Sequence, residues 1–168
     1  MVKREDIIIK PRTKNQYRAI RSNADFVILT GPVGSGKTFT LYYAPINYLV
    51  HNAGEKIICF MRNVSDFWGA GKVADTMKSI YPLVDRSTKR QPHDPIGEVI
   101  KNQVDMGVKF YNGSEVKYQQ LDNENPKMID KIAKGIQTKK LIFDECNKFQ
   151  WNTITTFMAN KRTKARDQ

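Results

Sequence analysis

The stretch Gly31-Pro32-Val33-Gly34-Ser35-Gly36-Lys37-Thr38 fits the phosphate-loop pattern G-x-x-x-x-G-K-[ST]. A polyphosphate is held by backbone N–H groups only where side chains do not obstruct the approach. Glycines permit both that approach and the positive-φ turns it needs. In this pattern Lys37 reaches the β- and γ-phosphates, and the Thr38 hydroxyl ligates Mg²⁺. The flanks fit as well. Asp25-Phe26-Val27-Ile28-Leu29-Thr30 reads as a β-strand and Thr38 to Val50 as a helix, the strand–loop–helix order the motif requires. The competing reading is a glycine-rich turn without a ligand.

The chain of 168 residues is the length of one ordinary domain, large enough to bury a real core. Its 28 Lys and Arg against 17 Asp and Glu leave a formal charge of +11. That excess calls for an anionic partner. Nucleotide alone does not need it, so nucleic acid is the better expectation, against a basic surface kept for solubility. Cys59 and Cys146 lie far apart without metal-ligand spacing, and read as reduced thiols in a cytosolic setting. No stretch approaches the roughly 20 apolar residues of a membrane-spanning helix.

Upstream of the loop, Ile7-Ile8-Ile9 is a short β-type run. Lys14 to Arg21 reads as a helix with Thr13 as N-cap. Gln16 in that helix carries a carboxamide that suits the adenine N6 and N7 edge, or else is a solvated helix residue. Downstream, the helix to His51 contains Pro45, which predicts a kink or break, and Gly54 reads as its cap. Lys56 to Met61 reads as a buried parallel strand with Arg62 at its carboxyl end, where ligands of open α/β sheets sit. A salt-bridged surface arginine is the other reading of Arg62. Val64 to Tyr81 reads as helical, broken at Gly69-Ala70-Gly71. The polar, basic segment Asp85 to Pro95 reads as a loop and a candidate DNA contact. Val104–Phe110 and Ser114–Gln120 flank Asn112-Gly113 and predict an antiparallel hairpin. Met128 to Lys134 and Gln150 to Lys161 read as helices, the second followed by a basic tail.

The second chemical motif is Leu141-Ile142-Phe143-Asp144-Glu145, an apolar strand ending in two carboxylates. Beside a phosphate loop, Asp144 holds Mg²⁺ directly or through water, and Glu145 polarises a water for in-line attack on the γ-phosphate. The pair implies hydrolysis. The transition state also needs a positive charge, for which Arg62, Lys134, Arg162 and Arg166 are candidates, as is another subunit.

The order of Gln16, the loop Gly31–Thr38, Met61-Arg62, the hairpin Phe110-Tyr111-Asn112-Gly113-Ser114, Lys134-Gly135, Phe143-Asp144-Glu145 and Lys161-Arg162-Thr163-Lys164 resembles the ATPase domain of tailed-phage terminase large subunits. The resemblance covers nearly the whole chain. It implies a P-loop NTPase of the ASCE type: α/β, three αβα layers around a mostly parallel central sheet, plus an inserted antiparallel hairpin. It further implies ATP hydrolysis that drives double-stranded DNA into a procapsid. The partners implied are a homo-oligomeric ring, a pentamer, with the portal protein and the small terminase subunit, in the host cytoplasm at the procapsid portal. Gln16 then contacts adenine, and Gly31, Pro32, Val33, Gly34, Ser35, Gly36, Lys37 and Thr38 hold ATP. Thr38 and Asp144 hold Mg²⁺, Glu145 orients the water, and Arg62 or the Lys134 loop lies nearest to a trans-acting cation. Against the family pattern, residues 1–168 read as a single ATPase domain, incomplete at its C-terminus and without the nuclease domain. Two other readings stay open: a P-loop ATPase of helicase or PhoH-like type, and a truncated nucleotide- and DNA-binding module without activity of its own.

Overall fold

A computed structural model describes residues 11–22, 27–32, 34–63, 65, 67, 72–87, 89, 92–101, 106–138 and 140–160. One strand lies at the heart of the chain's core. β1 (Lys56–Met61) pairs in parallel with β6 (Lys140–Phe143) on one side and with β5 (Glu115–Gln120) on the other. From β5 the sheet continues antiparallel through β4 (Met106–Phe110) to β3 (Gly97–Lys101). It ends on the two-residue β2 (Leu83–Val84), parallel to β3. The order is β2-β3-β4-β5-β1-β6. The protein is therefore α/β with a mixed sheet.

The period-2 alternation of β1 divides the core in two. Ile57, Cys59 and Met61 face one apolar cluster, built with Ile46, Leu49 and Val50 of α2 (Lys37–His51) and Val73, Ala74 and Met77 of α3 (Val73–Ile80). Ile58 and Phe60 face the other. There Ile129 and Ala133 of α4 (Pro126–Lys134) meet Ile154 and Phe157 of α5 (Trp151–Asn160). The ring centroids of Phe60 and Phe157 are 4.4 Å apart, and those of Phe60 and Phe143 5.2 Å. Helices on both faces of the sheet make three layers. Cys59 and Cys146 form no disulfide, and no helix among the described residues is long and apolar enough to cross a membrane.

Most expected elements are present: α1 (Lys14–Arg21) capped by Thr13, α2, β1, the β4–β5 hairpin, α4, β6 and α5. The hairpin closes through Tyr111, Asn112 and Gly113. The Phe110 N–H donates to Ser114 O at 2.9 Å, and Gly113 at φ +83° takes the left-handed position the turn demands. Several expectations are corrected. Val27 to Thr30 form no strand: they make no ladder with the described strands, and Val27 and Ile28 are 43 and 56 % exposed. β-type residues do not make a strand without a neighbour to bond. α2 runs through Pro45 without a break, because Ile46, Leu49 and Val50 beyond it are anchored in the core. Its C-cap is Asn52, with Gly54 at φ +73° in the following turn. The described residues between Asp85 and Pro95 are a loop as expected, joining β2 to β3, and β3 adds a third antiparallel strand to the expected hairpin. Residues 7–9, 25 and 26, and the glycine interruption at 69–71 lie outside the described residues.

Candidate functional site: the glycine loop and the acidic turn

α2 fixes where the glycine loop lies. The carbonyls at its C-terminal end are capped by the hairpin turn: Asn112 Nδ2 donates to Leu49 O (2.9 Å) and Val50 O (3.1 Å), and Ser114 Oγ lies 2.8 Å from Leu49 O. Nearby, Lys140 at the start of β6 sits 4.9 Å from the Tyr48 ring. The late part of α2 thus lies at the amino ends of β1, β5 and β6. A helix of 15 residues is about 22 Å long, and a strand of six about 20 Å. Phe39 and Leu41 near the start of α2 pack against the same cluster as Ile57, Cys59 and Met61, so α2 runs along the sheet and its start, with the glycine loop, lies toward the carboxyl ends of the strands. Arg62, Asp144 and Glu145 follow β1 and β6 at that same end.

Gly34 (φ +80°) and Gly36 (φ +79°) are both left-handed, a conformation that costs an L side chain about 1 kcal/mol or more. Gly36 is the N-cap of α2, and its carbonyl accepts from Thr40 N–H at 3.0 Å. The Lys37 ammonium lies over the loop, 2.5 Å from Gly31 O, 2.8 Å from Pro32 O and 3.4 Å from Ser35 Oγ. Thr38 is exposed on the first turn, and Val33 lies outside the described residues. Gln16 is buried against this loop, its carboxamide bonded to backbone at both ends.

The acidic motif ends β6 as expected. Asp144 donates its N–H to Phe60 O at 2.9 Å and is half-buried. Glu145 is exposed at φ +51°, alone in that region among the described non-glycine residues. It leads into a 3₁₀ turn, Cys146–Lys148, and its carboxylate pairs with Lys148 Nζ. This partner three residues on was not picked out from the sequence, although i, i+3 spacing is a readable ion-pair signal.

Arg62 takes the reading of a salt-bridged arginine. A guanidinium has five N–H groups. Here Nε donates to Lys148 O, Nη1 to Leu121 O and Asp122 O, and Nη2 to Glu124 and Lys148 O. The group also lies 4.6 Å from the Phe149 ring centre. In this arrangement every donor is engaged by the protein, so Arg62 offers none to a γ-phosphate. Burial raises the Glu124 carboxyl's pKa. Hydrogen bonds from Thr153 and the Gln150 N–H, with the charge of Arg62, more than offset that and hold it below the usual range. Lys134 pairs with Asp130 at 2.6 Å, and Arg162 and Arg166 lie outside the described residues.

Among the described residues no three His, Cys, Asp or Glu side chains gather to hold a metal ion by themselves. A Mg²⁺ that travels with a nucleotide is held differently, by one or two protein oxygens plus phosphates and water, and the Thr38 hydroxyl and Asp144 carboxylate are oxygen donors of that kind. Comparison with protein-family models, with curated proteins and with solved structures gave no match.

Proposed function

We propose that this chain is a P-loop ATPase that binds Mg²⁺-ATP at Gly31–Thr38 and hydrolyses it with Asp144 and Glu145. What supports the reading is that α2, running along the sheet, brings the glycine loop toward the carboxyl ends of the strands, where the acidic motif also lies. A glycine loop with two left-handed residues opens α2 there, and two carboxylates end β6. On binding, the Lys37 ammonium exchanges the carbonyls of Gly31 and Pro32 for phosphate oxygens, and the N–H groups at the start of α2 face the same anion. Thr38 and Asp144 would hold Mg²⁺, which when bound would supply charge neutralisation of the phosphates. Glu145 then orients the attacking water, which requires its carboxylate to leave Lys148.

The motor assignment, a terminase ATPase domain that moves double-stranded DNA into a procapsid as a ring, rests on the order of the motifs. The charge of +11 supports an anionic polymer as partner. With the donors of Arg62 engaged, the remaining candidates for the transition-state cation are Lys134, Arg162, Arg166 and a residue of a neighbouring subunit. A second reading, a nucleotide-binding module without turnover, is favoured by the Glu145–Lys148 pair, which keeps the base occupied. Calorimetry with Mg²⁺-ATP tests the shared foundation. The wild type binds, and Lys37→Ala loses detectable binding; unchanged affinity in the variant would sink the site.

A further inference from the structure

Gln16 is 7 % exposed, although it lies on a short polar helix. Its Oε1 accepts from the N–H groups of Arg12 (2.8 Å) and Thr13 (3.1 Å), completing a capping box with the Thr13 hydroxyl. Its Nε2 donates to Gly36 O at 3.2 Å and, at the limit of a hydrogen bond, to Ser35 O at 3.5 Å. The orientation of the amide is fixed by chemistry. Turned over, it would set its NH₂ against two N–H groups and its oxygen against two carbonyls. The approach is so close that a Cβ on Gly36 would stand 2.1 Å from Nε2.

Both ends of the carboxamide are therefore bonded to backbone, which leaves nothing for the edge of a base. What the contact does to the loop follows from peptide geometry. In a trans peptide the C=O of one residue and the N–H of the next point in opposite directions. With the carbonyls of Ser35 and Gly36 drawn toward α1, the N–H groups of Gly36 and Lys37 turn away from it. Those are N–H groups a polyphosphate uses at a helix N-terminus. Gly36 O is also held by the Thr40 N–H and hydroxyl, both at 3.0 Å, so Gln16 adds to that hold and ties it to α1.

We infer that Gln16 is a positioning residue: it latches α1 to the phosphate loop, aims the Gly36 and Lys37 amides at phosphate, and does not read adenine. The inference rests on the nucleotide-site reading above. Gln16→Glu separates the two roles, because it keeps an acceptor for Arg12 and Thr13 but sets a carboxylate oxygen against two carbonyls. Affinities for Mg²⁺-ATP, Mg²⁺-GTP and Mg²⁺-tripolyphosphate all fall together, by about tenfold, and the ATP-to-GTP ratio stays constant. In the free protein, hydrogen exchange at the amides of Ser35 (bonded to Pro32 O) and Thr40 (bonded to Gly36 O) becomes faster. Gln16→Met, of similar shape and without donors, gives the same pattern if the Glu variant fails to fold. Lost ATP affinity with GTP and tripolyphosphate unchanged makes Gln16 a base reader and overturns the latch. Unchanged exchange at Ser35 and Thr40 overturns it whatever the ligands do. A wild type that binds none of the three ligands defeats the nucleotide site instead, and the exchange data then decide the latch alone.

Discussion

Asp85 illustrates how a charged residue that looks like part of a solvated basic loop is given other work by its neighbours. Its carboxylate is buried, 2.7 Å from Lys78 Nζ on α3, and accepts from the Ser87 N–H (3.0 Å) and hydroxyl (2.6 Å). Burial alone raises its pKa, but the bonds from Lys78 and Ser87 outweigh that and bring it from 3.8 down to about 2. A folded-state pKa below the unfolded one stabilises the fold above the unfolded value, and the contribution is lost as pH falls through the folded one. We expect Asp85 to contribute about 2 kcal/mol above pH 4, disappearing as the pH falls toward 2. Urea unfolding of the wild type and Asp85→Asn checks this, with a gap near pH 7 that closes in acid; a gap independent of pH contradicts it. Such partners are illegible in a single sequence when they come from other elements. Arg62 reads equally well as catalytic or structural until Glu124, Lys148 and Leu121 are seen around it. Gln16 likewise shows its carboxamide in the sequence, but not the two loop carbonyls it meets.

Between elements, the firmest link is the cap that the β4–β5 turn places on α2. The last four carbonyls of a helix have no partner within it, and Asn112 and Ser114 supply donors for those of Leu49 and Val50. Ser114 is fully buried, and Asn112 Oδ1 also accepts from its N–H at 3.0 Å. Asn112→Ala leaves these groups short of partners and is expected to cost about 1–2 kcal/mol. Thermal or denaturant unfolding measures it, and an unchanged midpoint rejects the cap as a stabilising contact. The Asn-Gly pair announced the hairpin because two-strand turns need left-handed residues. That its side chains would reach back to a helix sixty residues earlier is a tertiary fact. β3 escaped notice because Gly97-Glu98-Val99-Ile100-Lys101 is short and follows prolines, so its strand character comes from pairing with β4. The strand expected at Asp25–Thr30 failed for the complementary reason. Its described part, Val27–Thr30, has apolar β-type residues and no described neighbour to pair with.

Across the whole molecule, the three-layer α/β arrangement was legible because the strongest signals were periodic: the continuous apolar run of β1, the alternation in the hairpin, and the glycine loop opening a long helix. The antiparallel part of the sheet, β3 to β5, was legible only in its β4–β5 hairpin. The candidate site was legible as two motifs, and their placement toward one end of the sheet is inferred from the run of α2 along it, which neither motif encodes. What ties the account together is chemistry at that end. If Glu145 orients water toward a nucleotide held by the Gly31–Thr38 loop, it must leave Lys148 during the cycle and its loss must stop turnover. Phosphate release from Mg²⁺-ATP by the full chain, with double-stranded DNA present, is the direct measurement. We expect release by the wild type that falls by about a hundredfold or more in Glu145→Ala. Equal release by the two proteins contradicts it and leaves a module that binds nucleotide without hydrolysing it.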